Sequence, residues 1–149
     1  MSARAQWRVM IALGVVGLGV ATYLTIVHYV GFSLLECVAH KRGTISSCQQ
    51  VQSSVYSDVL GIPVALLGLI GYVAILATLL VRDSDLTRAL TLGVTLFGTG
   101  FSAYLTYREL FTIDAICEWC VSSAVLMTLL FGFAIARYVR GAPPVVTRR

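Results

Sequence analysis

Cys117-Glu118-Trp119-Cys120 opens a predominantly apolar run, Val121 to Val139, that is long enough to cross a bilayer as a helix. Three residues apart on one helical turn, the two cysteines share a face, and their sulfurs can close a disulfide. A helix that begins here leaves its first backbone N–H groups unpaired. Together with the positive end of the helix dipole, they favour a thiolate. The stretch therefore predicts a redox-capable pair at the start of a membrane span, at the membrane surface.

Outward from that pair, the composition supports a membrane setting. Of 149 residues, 58% are hydrophobic and 12% charged, with a mean hydropathy of +0.86. These values suit a small polytopic membrane protein and not a soluble domain. Four spans are expected, at about 9–30, 62–81, 86–110 and 117–139, forming an all-α four-helix bundle in a single domain, residues 1–149. The net charge of +4 is accounted for by the position of the arginines, and nucleic acid is not needed to explain it. Arg4, Arg8, Arg82, Arg88, Arg137, Arg140, Arg148 and Arg149 flank alternate span ends. The positive-inside rule then puts both termini and the Arg82–Arg88 turn in the cytoplasm, with all four cysteines on the outer side. In bacteria that is the oxidising compartment, where disulfides persist. The first span lacks a cleavage site and is expected to stay in the membrane.

Gly14, Gly17 and Gly19 in the first span suit close helix contact. His28 stands near that span's outer end and reads as an interfacial histidine. The outer loop 31–61 carries Cys37 and Cys48, and its length points to function. Later in the loop, Val51, Val55 and Val59 recur every four residues beside Tyr56 and Leu60, with glutamines and serines between them. This pattern predicts a short amphipathic surface helix capping the bundle. Gly61-Ile62-Pro63 leads into the second span, and Pro63 is placed where a missing N–H costs little. The third span is the most polar, through Thr91, Thr95, Thr99, Ser102, Tyr104 and Tyr107, most of them expected to bond across helices. Arg108 and Glu109 mark its outer end, and 141–149 reads as a frayed tail. No Asp, Glu, Lys or Arg is expected at mid-depth, which argues against an ion-coupled transporter.

Four sulfurs on one side admit three readings: an electron relay by thiol–disulfide exchange, two structural disulfides in a non-catalytic tetraspan scaffold, or a tetrathiolate metal site. A CxxC at a helix start favours reactivity over a structural crosslink. The wide Cys37–Cys48 spacing and the oxidising compartment argue against metal. A sulfur one turn into the helix, about 4.5 Å along its axis, meets the hydrocarbon layer, where a lipid-soluble quinone is the natural acceptor.

The layout resembles the bacterial homologues of vitamin K epoxide reductase. The resemblance rests on Cys37, Cys48, the stretch with Ser53, Ser54 and Tyr56, Leu60-Gly61-Ile62-Pro63 and the Cys117–Cys120 pair, and it covers about Val9 to Arg140. It implies a four-helix bundle around a quinone (menaquinone or ubiquinone) in the bacterial inner membrane. It further implies that Cys37 and Cys48 oxidise a thioredoxin-like partner, with Cys37 meeting the partner. Cys48 would then exchange with Cys117, and Cys120 would reduce the quinone. The segment Val51 to Tyr56 would cap the quinone pocket, where Ser54 matches the family's serine. Some bacterial members carry a fused thioredoxin-like domain, and here the partner is expected to be a separate protein. In the vertebrate branch, an Asn and a Tyr hold the vitamin K carbonyls. Val64 and Ala124 occupy those positions here, which favours plain quinone reduction over epoxide reduction. The other four-helix family of disulfide-generating membrane proteins has its CxxC in the first outer loop, the reverse of the order in this chain.

Overall fold

The computed structural model describes residues 2–31, 58–59, 61–113 and 117–141. Four helices dominate: α1 (Ala3–Val30), α2 (Val64–Leu80), α3 (Asp85–Arg108) and α4 (Glu118–Val139). A π-helical turn, Glu109–Ile113, continues α3. The helices pack as a ring, α1 against α2, α2 against α3, α3 against α4 and α4 back on α1. Three of them, α1, α4 and α3 with its extension to Phe111, are long and apolar enough to cross a membrane. The shorter α2 has 17 residues. Large apolar side chains such as Val15, Val16, Ile70, Val73, Leu96, Phe97, Val125 and Leu129 face outward. In water that surface would be untenable, and in lipid it is the solvated face.

Local chemistry sets the helix ends. The Ser2 hydroxyl accepts from the Ala5 N–H at 3.3 Å, so α1 begins at Ala3, six residues before the expected start of the span. Gln6 and Trp7, in its first two turns, donate to the carbonyls of Phe133 (2.8 Å) and Leu79 (3.0 Å), tying α1 to α4 and α2. Ser84 and Thr87 form a reciprocal capping box that starts α3 just after the Arg82–Asp83 turn. Before α2, Asp58–Val59 pairs antiparallel with Ile62–Pro63, and Gly61 has φ +80, a conformation open mainly to glycine. The expected surface helix therefore does not include Asp58 and Val59. The tight turn at Gly61 and the proline at position 63 favour chain reversal over helix here. Its remaining residues, with Val51, Ser54 and Tyr56, lie outside the described residues.

Two clusters fill the interior. The larger holds Met10, Ala21, Tyr72, Ile75, Leu79, Met127, Leu130 and Ala134, drawn from α1, α2 and α4. Gly17 makes it possible, because a Cβ there would collide with the Tyr72 ring. Gly98 serves α3 in the same way, its missing Cβ leaving room for Met127 Sδ. Gly19, expected to act alike, has nothing within 4 Å of its Cβ position and faces out. The smaller cluster, Leu24, Val27 and Cys117, lies where α1 ends and α4 begins.

Polar residues of α3 follow an inward stripe with steps of three and four: Arg88, Thr91, Thr95, Thr99, Ser102, Thr106 and Glu109. The Thr91 and Thr78 hydroxyls meet at 2.9 Å between α3 and α2, and Thr99 donates to the Met127 carbonyl at 3.3 Å. Tyr104 and Tyr107 fall off this stripe and are exposed, contrary to the expected interhelical role. Tyr104 instead accepts from Arg108 Nε at 3.2 Å, and Tyr107 packs on Phe111. At the opposite end of the bundle, Asp83 joins α3 to α4. Its carboxylate takes both Nε and Nη2 of Arg88 at 3.0 Å and Nη2 of Arg137 at 2.8 Å.

Candidate functional site

Cys117 is the N-cap of α4, with extended backbone (φ −94, ψ 109), and its carbonyl accepts the Val121 N–H at 3.0 Å. It is fully buried, packed with Leu24 and Val27 of α1. Cys120, one turn on, is only partly buried, and like Val20, Tyr23, Ala65 and Trp119 it packs against that cluster. Trp119 packs on Tyr23 of α1 with the rings tilted by 50° and their centroids 5.0 Å apart, clamping the first turn of α4 against α1. Both cysteines are free thiols and bond to each other, the Cys120 thiol donating to Cys117. That bond, aided by first-turn backbone N–H groups, holds the Cys117 thiol below its ordinary value despite burial and a nearby carboxylate. The helix-start argument thus finds its effect at Cys117. As whole residues, Cys117 is enclosed and Cys120 is partly exposed.

The nearby carboxylate is Glu109, and it was not among the residues expected to act. It is 3% exposed, and its Oε2 accepts the Cys117 backbone N–H at 3.3 Å. Its carboxyl also hydrogen-bonds the Cys120 thiol. Among the described residues no salt bridge reaches it; the neighbouring Arg108 turns to the Tyr104 hydroxyl and ring. The local fold explains the placement. Glu109 ends the inward stripe of α3, and the π turn that starts there leads the chain across to α4. Such turns recur at functional sites. The signal was present in the sequence as the three- and four-residue spacing from Thr91 to Glu109.

Of the other expected site residues, Ala124 lies four residues beyond Cys120, on the same face of α4 and partly buried. Val64 is the first residue of α2, also partly buried, and its neighbour Ala65 packs into the cysteine cluster. Cys37, Cys48, Val51, Ser54 and Tyr56 lie outside the described residues. Beside Ala124, Ser123 receives the Tyr72 hydroxyl on its carbonyl at 3.0 Å, so a polar link from α2 meets α4 one turn beyond Cys120. On α1, His28 Nε2 stands 3.8 Å from Asp58 Oδ1, tying the start of the short β pair to the outer end of α1.

Chemically, the arrangement joins two thiols of unequal environment to one buried carboxyl, within apolar walls at the end of a lipid-facing bundle. It suits two-electron thiol–disulfide chemistry with local proton handling. Comparison with curated proteins gave no match. A family comparison did: residues 8–135, which run from the second turn of α1 to near the end of α4, match the Vitamin K epoxide reductase family, and the chain belongs to it.

Proposed function

We propose that this protein is a thiol:quinone oxidoreductase that drives disulfide-bond formation. The family suggests a quinone-coupled thiol oxidoreductase in general, and the helices suggest a membrane protein. The finer reading is the electron path. Cys37 and Cys48 take electrons from a separate thioredoxin-like protein, Cys48 exchanges with Cys117, and Cys120 delivers to the quinone. The observation that carries this reading is the buried Cys117–Cys120 thiol pair at the start of α4, bonded to Glu109.

The residues fit a quinone. Cys120 joins Val20, Tyr23, Ala65 and Trp119, all apolar or aromatic, in packing against the cluster that holds Cys117. Ala124 and Val64 would add further apolar wall, and Val51, Ser54 and Tyr56 would cap it. When bound, the quinone accepts two electrons and two protons. The protein's part begins at Cys117, whose lowered thiol makes it the ready partner for exchange with Cys48. Burial of Cys117 confines that exchange to the end of the bundle, away from competing soluble thiols. Trp119 and Tyr23 hold the first turn of α4 against α1, which keeps the two cysteines on one turn. By the arginine distribution, the cysteines face the outer side of a bacterial inner membrane and both termini face the cytoplasm.

The test is direct. Purified protein supplied with a reduced thioredoxin-like protein reduces a soluble quinone analogue, and Cys117→Ala and Cys120→Ala each abolish turnover. Turnover surviving either substitution overturns the assignment.

A further inference from the structure

The fold explains where Glu109 sits and leaves open why the residue there is ionisable. Burying a carboxylate is costly unless it is paired, yet among the described residues no cation pairs with it. Its partners belong to the cysteine pair: the Cys117 N–H at 3.3 Å and the Cys120 thiol. Holding a backbone N–H needs only an acceptor, and a neutral glutamine would serve at lower cost. The ionisable group therefore calls for another explanation.

The two sulfurs supply one. Only a thiolate reacts in disulfide chemistry. Cys117 is aided by the hydrogen bond from Cys120 and by the helix N-terminus. The Cys120 S–H is shared between the Cys117 sulfur and the Glu109 carboxyl. Transfer of that proton to Glu109 turns a thiol and a carboxylate into a thiolate and a carboxylic acid. Net charge in the site stays constant, which avoids creating a new charge in a low-dielectric region.

Resting on the quinone-reductase reading, we propose that Glu109 is the proton acceptor for Cys120 and removes that proton from the buried pair as the pair is oxidised. The ledger balances. Both S–H bonds break, one S–S bond forms between Cys117 and Cys120, and two electrons leave for the quinone. The two thiol protons end on the two oxygens of the quinol, one of them by way of Glu109.

The experiment uses purified full-length protein in lipid nanodiscs, as wild type, Glu109→Gln and Glu109→Asp. Glutamine keeps an acceptor for the Cys117 N–H and cannot take a proton; aspartate keeps the acid on a shorter arm. Infrared spectra followed in time after reduced protein meets the quinone analogue should show a transient carboxyl C=O band in the wild type that is absent in Glu109→Gln. Turnover with a soluble quinone analogue should fall about 100-fold in Glu109→Gln, a typical general-base contribution, and recover in part in Glu109→Asp. Absence of the band from the wild type overturns the proposal even if Glu109→Gln does not fold. Full turnover in Glu109→Gln overturns it too, leaving the oxidoreductase reading intact. Wild-type protein that fails to reduce the analogue defeats the oxidoreductase reading itself.

Discussion

The hydroxyl of Tyr72 lies 3.0 Å from the carbonyl oxygen of Ser123 and 3.1 Å from its hydroxyl, linking the second helix to the fourth one turn beyond Cys120. Tyr72 is fully buried, so both its ring and its hydroxyl bear on where the cysteine pair sits. Tyr72→Phe keeps the ring and removes the link, and should cost about 1 kcal/mol, the scale of interhelical hydrogen bonds in membranes. Tyr72→Ala also empties the core and should cost about 3–5 kcal/mol. Unfolding of purified protein in mixed detergent micelles measures both. Equal losses for the two variants would show that the ring contributes nothing beyond its hydroxyl.

Gly17 and Gly19 give a sharper packing test. A methyl group on Gly17 meets the Tyr72 ring, whereas Gly19 opens onto free space. Gly17→Ala should therefore destabilise the bundle by about 1–3 kcal/mol, and Gly19→Ala should be neutral or slightly stabilising. Thermal unfolding of the two variants side by side decides it, and a matched pair of midpoints would contradict the packing described.

At the other end of the bundle, the hydrogen bond from Arg88 and then the positive charge of Arg137 hold the Asp83 carboxyl below the usual carboxylate range. A folded-state value below the unfolded one means that the stabilisation is fully present above the unfolded value. It is lost as pH falls through the folded one. Wild-type protein should thus exceed Asp83→Asn in stability by about 2 kcal/mol near neutral pH, with the gap closing below about pH 4. Thermal unfolding from pH 7 to pH 3 measures the gap; a constant difference across that range would refute the carboxylate's part.

These tests also mark how far the sequence could be read. The apolar runs located all four helices, because spans of that length have few alternatives. The CxxC at the start of α4 was legible, since helix-start chemistry depends only on local order. Helix ends were less so. The extra turns at Ala3–Arg8 depend on Ser2 and on Gln6 and Trp7 reaching carbonyls of other helices. Nothing local predicts that Asp83 bonds Arg137, 54 residues away. Glu109 is the instructive omission. Its inward spacing was present in α3, but a charged residue at a span end reads first as a solvated one. Only the packed π turn shows it enclosed beside the cysteines.

The order of sulfur transfer has its own test. Cys37→Ala should accumulate a Cys48–Cys117 crosslink under oxidising conditions, visible by peptide mass spectrometry. A crosslink from Cys48 to Cys120 instead would reverse the roles assigned to the two sulfurs of α4.

The most direct measurement of the central claim is a single turnover without any thiol donor. Fully reduced protein is mixed with a soluble quinone analogue, the quinol is followed optically, and the disulfides are then mapped by mass spectrometry. Formation of the Cys117–Cys120 disulfide together with one quinol per pair is the predicted result. Quinone left unreduced while Cys117 and Cys120 remain free thiols would contradict the account.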